Sequence, residues 1–199
     1  MMIDDDQIQQ IVQRVLSQVT GSAPNAGQMT SSPAAASLEA TKPESNASGN
    51  RVVAIGADHG GFDLKEDLRA YVTQLGFDVR DMGAYNKSPV DYPEFAHAVA
   101  KLVSTGKAWR GIMIDGAGIG SCIVANKVPG VRAGMAYDIS TANNGREHND
   151  TNLLTLGAGL IGVNLARQIV KTWLETQFGG GRHAPRVEKI TAVEKLYLK

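Results

Sequence analysis

The residues with most chemical potential lie in the run Asp115-Gly-Ala-Gly-Ile-Gly-Ser-Cys-Ile-Val-Ala-Asn-Lys127. Glycines at 116, 118 and 120 let backbone N–H groups converge without Cβ obstruction. A helix opening directly behind them adds unpaired N–H groups and the positive end of its dipole. Such a loop suits an anion, either a phosphate or a developing oxyanion. Gly116, Ala117, Gly118, Ile119 and Gly120 are therefore candidate binding positions, although the same pattern also describes an empty strand-to-helix turn. Asp115 closes the apolar run Gly111 to Ile114. A carboxylate there could act as a general base, or simply hold the glycine loop by hydrogen bonds.

Three further groups stand out. Asp58 and His59 lie in the glycine-flanked turn Gly56 to Gly61, where an Asp-His pair can be catalytic or can cap a loop. His148, Asn149 and Asp150 precede an apolar strand. A histidine there can exchange protons near neutral pH, or can close a helix end. Arg182, His183 and Arg186 form a compact cationic cluster suited to phosphate, or a solvated helix start. No Cys/His cluster of metal-binding type is present, and no cofactor is expected.

These groups need a frame. Strands are expected at 51–55, 77–82, 110–114, 131–136 and 152–156. Helices are expected at 62–75, about 94–104, behind the glycine loop, at 139–147, at 162–178 and within 182–199. Five alternations of strand and helix argue for a parallel sheet covered on both faces. Ligands in such folds sit at the carboxyl ends of strands. That rule selects Asp58-His59, the run Asp115 to Ser121, and the segment around His148. The last helix follows a glycine hinge and carries Val187, Ile190, Val193, Leu196 and Tyr197 at helical spacing. It is expected to pack on another subunit or to close its own domain.

The first fifty residues have a different texture. Ile8, Ile11, Val12, Val15, Leu16 and Val19 form one apolar stripe at helical spacing, with Asp4, Asp5 and Asp6 placed to cap its start. Residues 21–50 are rich in Ser, Ala, Gly, Pro and Asn, and read as a disordered linker spanning roughly 30 Å as a coil. The chain thus divides into an amphipathic helix at 1–20, a linker at 21–50 and a core at 51–199. The helix docks on a partner's groove, folds back on its own core or makes a coiled coil.

The chain has 199 residues, with Lys+Arg and Asp+Glu equal at 20 each, which gives no reason to expect nucleic acid or an anionic membrane as partner. A single cysteine, Cys122, excludes an intrachain disulfide and fits a reducing cytosol. No apolar run reaches the length of a membrane span, and no secretory leader is evident.

Residues 51–199 resemble the sugar-phosphate isomerase family that contains ribose-5-phosphate isomerase B and the galactose-6-phosphate isomerase subunits. The motifs that carry the resemblance are Gly56-Ala-Asp-His-Gly-Gly-Phe62, Asp91-Tyr-Pro93, Gly116-Ala-Gly-Ile-Gly120 with Ala125-Asn-Lys127, His148-Asn-Asp-Thr-Asn152, and Gly180-Gly-Arg-His183 with Arg186-Val187. The resemblance implies a Rossmann-like three-layer α/β/α fold with a five-stranded parallel sheet. It also implies a metal-free homodimer or tetramer with active sites shared between subunits, acting on a phosphorylated sugar. His148 would help open the sugar ring, Asp58 and His59 would contact sugar and phosphate, and Tyr92 would line the site. Asn149 lies within the same motif as His148. Arg182 and Arg186 would bind phosphate beside His183, and the glycine loop would stabilise an enediolate.

Four positions depart from the family pattern. Asp115 and Ala117 replace a cysteine, the usual base, and a threonine. Ser121 stands where other members have a glutamate base, and Gly159 where many have an arginine. Asp115 is the expected replacement base. The N-terminal helix and linker resemble the encapsulation peptides that carry enzymes into bacterial microcompartments. That resemblance implies a shell protein as partner for residues 3–19 and a microcompartment lumen as location.

Overall fold

The computed structural model describes residues 51–198. The amphipathic stretch at 3–19 and the linker at 21–50 lie outside the described residues. Five strands and six helices alternate along the described chain. They are β1 (Val52–Ala57), α1 (Phe62–Gln74), β2 (Asp78–Asp81), α2 (Tyr92–Ser104), β3 (Arg110–Asp115) and α3 (Ile119–Ala125). Then follow β4 (Ala133–Met135), α4 (Ile139–Glu147), β5 (Leu153–Gly157) and α5 (Val163–Glu175), and after a 3-10 turn at Gly181–His183, α6 (Ala184–Tyr197).

The strands form one sheet in the order β2-β1-β3-β5-β4, and every neighbouring pair is parallel. The expected three-layer α/β/α fold is therefore present. Strand residues alternate between the two faces. Val53, Ile55, Ile112, Ile114, Leu154 and Leu156 face one core, closed by α1, α4 and α5 through Leu64, Leu68, Ala142, Ile169 and Trp173. Ala54, Met113 and Leu153 face a second core, closed by α2 and α3 through Ala96, Val99, Ala100 and Ala125. The three central strands are buried on both sides, so they read as continuous apolar runs. Edge strand β2 alternates exposed and half-buried residues.

Local chemistry sets the element ends. α2 begins at Tyr92, earlier than the expected Glu94, because Pro93 fits the first helical turn, where no intrahelical N–H bond is required. α4 starts on a capping box in which the Asp138 side chain accepts from Thr141 N and Thr141 returns the bond. α5 ends at Glu175, short of the expected Phe178. The Thr176 carbonyl turns away and accepts from Arg110 and Arg146, each at 3.3 Å. β4 is shorter than the expected 131–136, because side chains take over its start. Asn152 Oδ1 accepts from Arg132 N at 2.7 Å, and Asn126 Oδ1 from Ala133 N at 2.9 Å.

Helix α6 buries none of its residues, and Ile190, Val193, Leu196 and Tyr197 stand exposed. Its Glu194 carboxylate accepts from Gly130 N at 2.9 Å, which tacks the helix to the loop before β4. Among the described residues, no helix is long and apolar enough to cross a membrane.

Candidate active site

The crossover direction changes between β1 and β3, and the carboxyl ends of those strands form the expected ligand crevice. Register pairs Ala57 with Ile114, so Asp58 and Asp115 leave the sheet side by side. The Asp58 N–H donates to the Ile114 carbonyl at 3.1 Å. Its side-chain Oδ1 accepts from Gly61 N at 2.9 Å, and Oδ2 receives no hydrogen bond from a described residue.

Asp115 is nearly fully buried. Its Oδ1 accepts from Ala117 N at 2.9 Å and from Gly118 N, while Oδ2 accepts from Ser121 N at 3.0 Å and Ser121 Oγ at 2.5 Å. Three loop N–H groups are thus spent on the chain's own carboxylate. The N–H groups of Gly116, Ile119 and Gly120 have no acceptor among the described residues. Gly118 has φ +79°, and a Cβ there would meet the Leu156 carbonyl carbon at 3.0 Å. Gly120 lies under the Tyr92 ring, which a Cβ would strike at about 2.5 Å. Tyr92, at the first position of α2, therefore packs against the loop.

His59 is exposed, with Nδ1 3.1 Å from the Val90 carbonyl and 3.2 Å from its N–H, so the tautomer decides which bond forms. Either bond orients the ring and leaves Nε2 uncommitted. One positioning residue escaped the sequence reading. Lys65 is fully buried and donates to both Asp81 oxygens and to the Ala84 carbonyl, all at 2.8 Å, tying α1 to the segment after β2. The signal was present, because Lys65 occupies the core-facing row with Leu68 and Val72. Cys122 is half-buried against the Ala133 carbonyl, and burial pushes its thiol above the usual value.

The second group lies elsewhere. His148 was expected near a carboxyl edge, but it follows α4, which runs back antiparallel to the strands. It is therefore at the amino edge of the sheet. His148 and His183 stack face to face, with ring centroids 4.1 Å apart and planes 9° from parallel. Arg182 Nε lies 3.4 Å from His183 Nε2. Arg182 and Arg186 are exposed, and Arg186 has no hydrogen bond or ion pair with a described residue. Desolvation holds the His183 imidazole below its ordinary pKa, and the charges of His148, Arg182 and Arg186 act the same way. Asn149 is exposed beside His148 and lines a cavity of about 410 Å³ against β4.

The expected residues thus form two groups. Asp58, His59, Tyr92, Asp115 and the loop Gly116 to Gly120 share the carboxyl edge. His148, Asn149, Arg182, His183 and Arg186 share the amino edge. β3 has six residues, so at about 3.3 Å per residue the edges lie roughly 17 Å apart. An extended five-carbon phosphate does not span that distance within one chain.

A family model described as Ribose/Galactose Isomerase matches residues 53–190. The chain belongs to that family. It is 43% identical over 143 residues to ribose-5-phosphate isomerase B of Escherichia coli, covering 72% of this chain and 96% of the relative. It is also 43% identical over 140 residues to D-erythrulose-4-phosphate isomerase of Pectobacterium atrosepticum, covering 69% and 91%. The solved structure of Clostridium thermocellum ribose-5-phosphate isomerase B superposes with a TM-score of 0.72 at 46% identity, over 73% of this chain and 99% of that one. The chain is accordingly an isomerase of sugars, and its two residue groups can be read in those terms.

Proposed function

We propose that the chain interconverts ribose 5-phosphate and ribulose 5-phosphate through an enediolate, in an active centre completed by a second copy of itself. The observation that carries this reading is the separation of the two groups across the sheet. The carboxyl edge has carboxylates and free N–H groups but no phosphate-binding arginine pair. The amino edge has arginines and histidines but no oxyanion loop. Joining one edge to the opposite edge of a second copy supplies both halves, and a two-fold dimer makes two such centres. The exposed apolar residues of α6, together with Ile119, Ile123 and Leu160 near the loop, fit burial against that copy.

In this centre Arg182 and Arg186 hold the phosphate by charge-assisted hydrogen bonds. His148 exchanges the proton that opens the sugar ring. The free N–H groups of the glycine loop receive the oxyanion as negative charge develops on O1. The decisive experiment is turnover of ribose 5-phosphate by the purified protein in the presence of a metal chelator. Robust conversion supports the reading. Binding without conversion, in a folded oligomer, sinks it in favour of a sugar-phosphate-binding or scaffold subunit.

One observation favours a second substrate. Ala117 and Gly159 stand where the family pattern has a threonine and an arginine, so less side chain surrounds the loop, although a Cβ on Gly159 would press on the Gly116 carbonyl at 3.0 Å. Erythrose 4-phosphate, other pentose phosphates and hexose phosphates should therefore be assayed in parallel.

Residues 3–19 are proposed to bind a microcompartment shell protein through their apolar stripe, with 21–50 as tether. Deleting residues 1–20 should leave turnover unchanged and abolish co-assembly with shell protein. Unchanged co-assembly would exclude this role.

A further inference from the structure

Asp58 and Asp115 stand side by side at the ends of adjacent strands, and their hydrogen bonding separates their tasks. We propose that Asp58 is the base that moves the substrate's carbon-bound proton, and that Asp115 is a positioning residue that fixes the glycine loop. This assignment rests on the isomerase reading above and departs from the base role expected for Asp115.

A carboxylate offers about four acceptor sites. At Asp115 all four are filled, two on each oxygen, by donors from the loop the residue begins. To collect a proton from carbon, one oxygen must release its donors and turn outward, leaving buried N–H groups unpaired. Asp115 is 4% exposed and Ser121 fully buried, so water does not take over those bonds.

Asp58 is arranged differently. Its backbone N–H is bonded to the Ile114 carbonyl, which fixes it beside the loop. One side-chain oxygen is anchored by Gly61 N. The other has no donor among the described residues. Asp58 is 9% exposed, and its Oδ2 is not sealed from solvent as the unpartnered Thr155 Oγ1 is. One anchored oxygen and one open oxygen give a general base both a fixed direction and a free lone pair.

The step balances without a co-reactant. Asp58 Oδ2 takes the C2 proton of the open-chain aldose. The C2–H pair forms C1=C2, and the C1=O1 π pair moves to O1. The O2 proton then passes to O1. The O2 pair re-forms a carbonyl at C2, while the C1=C2 pair takes the proton back from Asp58 at C1.

The test uses the full-length protein with ribose 5-phosphate in D2O. It follows deuterium entry at C1 of the ketose by NMR, together with the pH profile of kcat. Asp58→Asn should lower kcat by about 10²- to 10⁴-fold, abolish deuterium entry, and leave KM within a few-fold. Asp115→Asn should raise KM while deuterium entry continues and the acid limb of the profile stays in place. Should that variant fail to fold, Ser121→Ala gives the same decision. Removing a donor from Asp115 would raise the proton affinity of a base located there and move the acid limb to higher pH. The proposal expects an unmoved limb and a higher KM. Wild-type deuterium entry in Asp58→Asn, or an upward shift of the limb in Ser121→Ala, would overturn it. Absence of turnover by the unaltered protein on all phosphorylated aldoses would instead overturn the isomerase reading.

Discussion

At each edge of the sheet, like-charged side chains stand together, and the chain itself satisfies only some of them. At the carboxyl edge Asp115 spends both oxygens on the glycine loop, whereas Asp58 keeps one oxygen open. At the amino edge Arg110 donates to the carbonyls of Trp173, Leu174 and Thr176, at 2.5, 3.0 and 3.3 Å. Arg146 is similarly occupied by Asp150 and by the carbonyls of Thr151 and Thr176. Arg182 and Arg186 reach solvent without a carboxylate partner. Charges satisfied inside the chain shape the fold, and charges left open are available to a ligand or a second copy.

The sharpest way to break this contrast is to exchange the roles of the arginines. Arg110→Met strands the carbonyls of Trp173 and Leu174 at the end of α5, while Arg146 still serves Thr176, and should destabilise the fold by about 2 kcal/mol or more, read as a fall in denaturation midpoint. A folded, equally stable Arg110→Met protein would remove the distinction. Arg186→Met should do the opposite. It should leave the midpoint unchanged and raise KM for the sugar phosphate by about 10- to 100-fold, the loss of one charge-assisted contact. An unaltered KM would remove Arg186 from the phosphate site.

The smallest effect is electrostatic and concerns His183. Its pKa is lowered by desolvation first and then by neighbouring positive charge. Arg186→Met should therefore raise it, as read from the imidazole proton shifts in a pH titration. Because the folded value lies below the ordinary 6.5 of histidine, the folded chain binds fewer protons than the unfolded chain just below that pH. The contribution to stability is present above 6.5 and is lost as pH falls through the folded value. A downward shift in the variant would contradict the assigned cause.

Much of this was legible in sequence where one residue decides the outcome locally. Asp138 and Thr141 announce the start of α4, and its span Ile139–Glu147 matches the expectation. The central strands are visible as uninterrupted apolar runs because both faces are buried. The true place of His148 was legible too, against the expectation of a carboxyl edge. A residue just before a strand of a parallel sheet lies at that strand's amino end, so its position before β5 already points to the amino edge. The four bonds to Asp115, by contrast, depend on how the loop closes. Spacing places donors near a carboxylate but does not tell whether they turn toward it.

The claim that two copies complete each active centre can be tested by subunit mixing. Asp58→Asn and His148→Asn proteins, each weakly active, are co-refolded and assayed with ribose 5-phosphate. A mixed dimer carries both lesions in one centre and none in the other, so random pairing should restore about a quarter of wild-type activity. Activity no higher than the mean of the two variants would contradict the account, because it would mean that Asp58 and His148 do not meet across a subunit boundary.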